Sequence, residues 1–127
     1  MQSIYADIKK NRLYITLDDV LEEDIPEVIK DIAQYVDRLA KGFTCLVDIR
    51  NLRLTFTDKE AVYINIIQGA LKDSGMSKVV RVIGEESFNK FTHHKMNEQS
   101  RDVGYEAVAV ATLKEAERIL DEFTPGR

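Results

Sequence analysis

The sequence is poor in cysteine and has no long apolar run. Because Cys45 is the only cysteine, an intramolecular disulfide is excluded, which suits a reducing compartment. The most apolar segment, 61–71, is interrupted by Asn65 and Gln68 and is too short to cross a bilayer. The segment 1–10 has no apolar core of a signal peptide. We therefore expect a cytoplasmic location.

The sequence also lacks an excess of positive charge. Its 18 Lys and Arg residues stand against 22 Asp and Glu residues, so the net charge is -4 and no nucleic-acid partner is expected. The hydrophobic fraction of 44% and the charged fraction of 31% are those of a globular protein and exclude a disordered or fibrous chain. A length of 127 residues predicts one domain, 1–127, with 124–127 as a frayed tail.

The motifs of common enzyme, nucleotide and metal sites are missing. The sequence contains no GxGxxG, GxxxxGK[ST], HExxH, CxxC or GxSxG motif. His93 and His94 are neighbours, and adjacent side chains on a helix diverge by about 100°, so the two rings cannot share one ion. We therefore predict no metal, no cofactor and no enzymatic activity.

The spacing of apolar residues predicts a hairpin followed by a helix. Apolar and polar residues alternate over 4–8 and 13–17, as in half-buried strands, and Asn11 is the residue between them best able to adopt a positive φ. From Ile25 to Ala40 the apolar residues follow helical spacing, and Gly42 supplies the C-terminal stop.

The rest of the chain predicts an alternation of strands and helices. Segment 43–49 is almost continuously apolar, which is typical of a strand covered on both faces. The other predicted strands are 78–83 and 106–111, and the other predicted helices are 58–74, 87–102 and 112–123. The resulting order, ββαβαβαβα, predicts a single α/β domain with a five-stranded mixed sheet and four helices.

The segment 47–60 is the first candidate site. It leaves the carboxyl end of a central strand and enters a helix, where ligands and partners usually meet an open parallel sheet. The residues that we assign to this partner or ligand face are Asp48, Arg50, Asn51, Thr55, Thr57, Asp58 and Lys59. Two structural interpretations compete: Asp48 can pair with Arg50, and Thr57 with Glu60 forms a capping-box pattern.

The second predicted helix, 58–74, is apolar on most of its circumference. One sheet face cannot cover so much apolar surface, so a neighbouring helix, a second subunit, or an apolar ligand or membrane surface must cover the rest. The residues assigned to this apolar ligand or dimer face are Val62, Tyr63, Ile66, Ile67, Ala70, Phe88 and Phe91. The excess predicts a homodimer.

The third predicted helix, 87–102, has few apolar residues with which to attach itself to the sheet. Phe88, Phe91, Met96 and Val103 are its expected anchors. The sequence therefore predicts that this helix opens more readily than the first.

The element order and two motifs resemble a known family. The segment VDIRNLRLTFTDKEAV, 47–62, resembles the STAS family of anti-sigma factor antagonist-like domains. The segment TLKEAERIL, 112–120, is similar to the C-terminal pattern of its SpoIIAA-like branch, which is also described as STAS/SEC14-type. The resemblance implies a non-enzymatic regulatory or protein-binding module with an unidentified protein partner. The branch also implies association with an apolar ligand or a membrane.

The chain departs from the antagonist members at the start of the second helix. Those members carry a phosphorylatable serine there. Asp58 matches their aspartate, but Lys59, Glu60 and Ala61 occupy the positions of the two serines and the glycine. The sequence therefore leaves two functions open: a regulatory module without the phosphorylatable serine, and a small carrier or sensor of a fatty acid or phospholipid.

Overall fold

The computed structural model of the protein describes residues 2–18, 22–53 and 57–123. The strands are β1 (Gln2–Asp7), β2 (Arg12–Leu17), β3 (Thr44–Asp48), β4 (Lys78–Val82) and β5 (Val108–Val110). The helices are α1 (Ile25–Val36), α2 (Asp58–Asp73), α3 (Ser87–Val103) and α4 (Leu113–Glu122), with a short 3₁₀ turn, Glu22–Asp24, before α1. The predicted α/β class and the order ββαβαβαβα are confirmed.

The five strands form one mixed sheet in the order β1-β2-β3-β4-β5. β1 pairs with β2 antiparallel, and all the other neighbours are parallel. In the hairpin turn Asn11 has a φ of 51°, and its backbone N–H donates to the carbonyl oxygen of Ile8 at 3.2 Å. The predicted hairpin and the positive φ of Asn11 are therefore confirmed.

Side chains alternate between two differently covered faces of the sheet. On one face, strand residues such as Leu13, Cys45 and Val79 pack with α1, α2 and α3 in the main core. On the other face, Val80 and its neighbours pack with Leu120 of α4. Right-handed crossovers between strands that follow one another in a single direction place the crossover helices on the same face. The described sheet therefore has a three-helix face and a one-helix face.

Two elements are shorter than predicted. Helix α1 ends at Val36 rather than near Ala40, because the N–H groups of Arg38 and Leu39 donate to carbonyls three residues back and form a turn. Strand β5 covers only Val108–Val110 rather than 106–111. The backbone of Ala107, just before it, donates to and accepts from the side-chain amide of Asn97, both at 3.0 Å. A side chain of α3 therefore binds the backbone groups that were expected to pair with β4.

The prediction that α3 is attached by apolar residues is partly wrong. Met96 is buried as expected, but Phe88 and Phe91 are exposed. The buried side chains of α3 are mostly polar, namely Asn89, Thr92, Asn97 and Ser100. Since buried polar groups need partners, the attachment of α3 depends largely on hydrogen bonds.

Candidate functional site

The loop after β3 is held by its own charged residues. The carboxylate of Asp48 accepts from Nε of Arg50 at 3.0 Å and from Nη2 at 2.8 Å, and it also accepts from the Arg50 backbone N–H at 3.1 Å. These hydrogen bonds raise the pKa of Arg50 above its usual value. Asp48 and Arg50 therefore form an ion pair with each other, as the structural interpretation predicted.

Thr57 begins α2 with a complete capping box. Its hydroxyl accepts from the backbone N–H of Glu60 at 3.2 Å, and the Glu60 carboxylate accepts from the backbone N–H of Thr57 at 3.1 Å. The capping interpretation of Thr57 is confirmed. Of the other residues assigned to this face, Asn51 and Lys59 are exposed, while Thr55 and the side chain of Asp58 lie outside the described residues.

We expect Thr57→Ala to lower the free energy of unfolding by about 1 kcal/mol and Thr57→Asp to leave it nearly unchanged, because aspartate also caps a helix. Urea unfolding measures both. Thr112→Ala is the reference variant, because Thr112 caps α4 by the same bond to Glu115 at 3.2 Å. A Thr57→Asp protein that is as unstable as Thr57→Ala would contradict the capping role.

Asn89 ties this loop to the start of α3. Its amide donates to the carbonyl oxygens of Ile83 at 2.8 Å and Arg50 at 2.9 Å, and its oxygen accepts from Nη1 of Arg53 at 3.1 Å. The Arg53 guanidinium also lies over the Phe88 ring, 5.2 Å from its centre. Sequence reasoning missed Asn89 because nothing in its local pattern distinguishes it from an exposed helical asparagine.

The predicted apolar face divides into an outer and an inner part. Val62 is 57% exposed and Ile66 is 47% exposed, and the aromatic rings of α3 also reach the surface. Ala70 is exposed as well, and Tyr63 is half-buried. In contrast, Ile67 points towards the core and lines a cavity. The residues that the sequence assigns to one face therefore belong to two places, the outer surface of the protein and the wall of the internal cavity.

The cavity, of about 60 Å³, lies between the sheet and helices α1, α2 and α3. Most of its wall is apolar, with contributions from Ile15, Val28, Val47, Ile64, Ile67, Leu71 and Met96. Two buried polar side chains, Gln68 and Arg81, belong to the same wall. Small-molecule sites in proteins commonly combine an apolar wall with a few polar groups.

Arg81 is the polar group that sequence reasoning should have noticed. It lies two residues after Val79 in β4 and therefore points to the same three-helix face, where it is only 3% exposed. Its Nη1 donates to Oδ1 of Asn97 at 2.7 Å and contacts Nδ1 of His93 at 3.2 Å. The sequence alone indicates this, because the alternation of β4 places a positively charged side chain at a position that faces the core.

His93 is held as a neutral ring beside Arg81. Burial, together with the charges of Arg81 and His94, lowers the pKa of His93 to about 4. Its Nδ1 acts as the acceptor of the Arg81 contact, because a guanidinium group can only donate. His93 therefore helps to position Arg81 rather than forming a metal site with His94.

Gln68 brings an unpaired acceptor to the cavity wall. Its Nε2 donates to the carbonyl oxygen of Met96 at 3.2 Å, which fixes the orientation of the amide. Its Oε1 is buried and has no hydrogen-bond partner among the described residues. Such a group usually has a water or ligand partner.

Within the described ranges, no group of three or more His, Cys, Asp or Glu side chains is arranged to hold a metal ion. No helix of the same residues has the length and apolar character needed to span a membrane. In comparisons with known proteins, no family model matches this chain, and no curated protein is significantly similar to it. The resemblance to the STAS family therefore stays a prediction that rests on the sequence motifs.

Proposed function

We propose that this protein is a non-enzymatic carrier or sensor that binds a small apolar ligand between its sheet and helices α2 and α3. The observation that carries the proposal is the cavity of about 60 Å³. Core side chains surround this space, which a densely packed protein interior would normally fill. Of the residues that the sequence assigned to an apolar ligand, Ile67 lies on its wall.

The cavity has a partly buried side towards α2. Ile64, Ile67 and Leu17 line it but are only partly buried, so the space lies close to the surface. A volume of about 60 Å³ is smaller than the roughly 150 Å³ of an engineered cavity that admits benzene. A chain of several carbons therefore enters by displacing these partly buried side chains.

Two adjacent isoleucines of α2 provide the test. We expect 1-hexanol to cause saturable NMR shifts in Ile64, Ile67 and Leu71, and Ile67→Phe to weaken this binding about tenfold or more by filling the cavity. The same substitution at Ile66, which is exposed, should leave the affinity unchanged. Equal binding by the two variants, or no saturable shift, would contradict the proposal.

A second candidate is the regulatory or protein-binding module that the STAS resemblance implies. It is supported by the exposed apolar side chains of Val62 and Ile66 on α2, one helical turn apart. Exposed apolar residues that cluster in this way often mark a protein contact. The partner that we propose first is a second copy of the chain.

We expect sedimentation velocity to detect a homodimer at about 100 µM, a concentration at which weak specific dimers populate. Ile66→Glu should shift the protein to a monomer, because a carboxylate would then be buried in the interface. Ile8→Glu is the matched control, since Ile8 is 67% exposed in the hairpin turn. A wild-type monomer at that concentration would remove this candidate.

A further inference from the structure

Two arginines are buried among the described residues, and their hydrogen-bond partners differ in charge. Arg12 and Arg81 are each 3% exposed. Arg12 donates to the carboxylates of Glu117 at 2.7 Å and Asp121 at 3.0 Å. Among the described residues, no carboxylate lies within ion-pair distance of Arg81, whose hydrogen-bond partners include Asn97 and His93.

The missing carboxylate matters because a buried cation is normally paired. Burial by itself lowers the pKa of an arginine, but at Arg12 the hydrogen bonds of Tyr14, Glu117 and Asp121 outweigh that effect and raise it. At Arg81 burial dominates and lowers the pKa to about 10. The neutral hydrogen-bond partners of Arg81 therefore offset the cost of burying its charge less completely than the carboxylates do at Arg12.

The surroundings of Arg81 connect this charge to the cavity. Within the sheet its neighbours are Val47 on β3 and Ala109 on β5, which carry no charge. Arg81 forms part of the cavity wall, and so does Gln68, whose buried Oε1 has no hydrogen-bond partner in the described part of the chain. If Arg81 only attached α3 to the sheet, an apolar side chain of similar volume would do so without burying a charge.

We infer that the ligand of the cavity is a small apolar monocarboxylic acid, whose carboxylate pairs with Arg81 and whose chain lies against the apolar wall. This inference rests on the proposed function. The planar guanidinium fork matches a planar carboxylate, and one negative charge balances one cation. A hydroxyl on the ligand, or a water molecule brought with it, would satisfy Oε1 of Gln68.

Four probes that each contain six carbon atoms test the inference by calorimetry. We expect hexanoate to bind about tenfold or more tightly than 1-hexanol, because a hydrogen bond to a charged group adds to the burial of the chain. Hexylammonium should not bind, and hexyl phosphate should bind less tightly than hexanoate. Lengthening the acid from four to six carbons should raise the affinity by about fourfold for each methylene that is buried.

The matched variants are Arg81→Met and Arg118→Met. We expect Arg81→Met to reduce hexanoate affinity about tenfold or more and to change 1-hexanol affinity by a much smaller factor. Arg118, an exposed residue of α4 on the opposite face, should tolerate the same substitution without effect. If Arg81→Met does not fold, the comparison of probes on the wild-type protein decides the question alone.

The outcomes separate the inference from the proposed function. Equal affinities for hexanoate and 1-hexanol, tighter binding of hexyl phosphate, or unchanged hexanoate affinity in a folded Arg81→Met protein would overturn the carboxylate assignment and leave the apolar site standing. No binding by any of the four probes would overturn the proposed function as well.

Discussion

Replacing Asn97 by alanine is expected to lower the free energy of unfolding by about 3 kcal/mol. The substitution removes a hydrogen-bond partner from three buried groups: the guanidinium of Arg81 and both backbone groups of Ala107. A buried polar group that loses its partner costs about 1–3 kcal/mol, and water that enters the space recovers part of the loss. Urea unfolding provides the measurement.

Two variants control this experiment. Asn65→Ala removes an exposed asparagine from α2 and should change stability by no more than about 0.5 kcal/mol. Asn97→Asp keeps the oxygen that accepts from Arg81 and from Ala107, so its loss should be smaller than that of alanine. An Asn97→Ala protein within about 0.5 kcal/mol of the wild type would show that these bonds do not secure α3.

Replacing Asn89 by alanine is expected to cost about 2–3 kcal/mol. Asn89 is 1% exposed, and its amide donates to the carbonyl oxygens of Ile83 and Arg50. Both carbonyls lie in loops that follow central strands. Losing these two hydrogen bonds therefore weakens the attachment of α3 and the order of the loop after β3. Hydrogen exchange around Arg50 should accelerate together with the loss of stability.

Lys90→Ala is the control for Asn89, because Lys90 is the next residue of α3 and is exposed. It should change the free energy of unfolding by no more than about 0.5 kcal/mol. Equal stabilities of the two variants would contradict the role of Asn89. A destabilised Asn89→Ala protein with unchanged exchange at Arg50 would contradict the link to the loop.

The elements that the sequence predicts well are those that local periodicity specifies. Helix α1 repeats its apolar residues at helical spacing, with Val28 and Ile32 buried. The centre of β3, residues 45–47, is continuously apolar because both of its faces are covered. The hairpin turn was also predictable, since Asn11 adopts the positive φ that its side chain tolerates. In each case the determining residues are neighbours in the chain.

The parts that could not be predicted depend on contacts between distant segments. Strand β5 is short because Asn97, ten residues away in α3, binds the backbone of Ala107. The attachment of α3 was assigned to Phe88, Phe91, Met96 and Val103. Met96 is buried as predicted, but Phe88 and Phe91 are exposed, and the buried Asn89 and Asn97 contribute instead. Composition favours phenylalanine for the core, and only the three-dimensional arrangement reveals which asparagines have buried partners.

The two candidate sites also differ in how far sequence could define them. The loop after β3 contains the polar residues that a site requires, but Asp48 pairs with Arg50 and Thr57 caps α2. The cavity is built by residues from six elements and the segment after α3, so no local motif describes it. Arg81 is the exception, because its inward position in β4 follows from the alternation of the strand.

The central claim, that an apolar ligand occupies the space between the sheet and α2, is tested most directly by intermolecular NOEs from bound hexanoate. We predict NOEs from the hexanoate chain to the methyl groups of Ile67, Leu71 and Val79, which line the cavity. NOEs confined to Val62 and Ile66, which face outward, or the absence of intermolecular NOEs at saturating hexanoate, would contradict the claim.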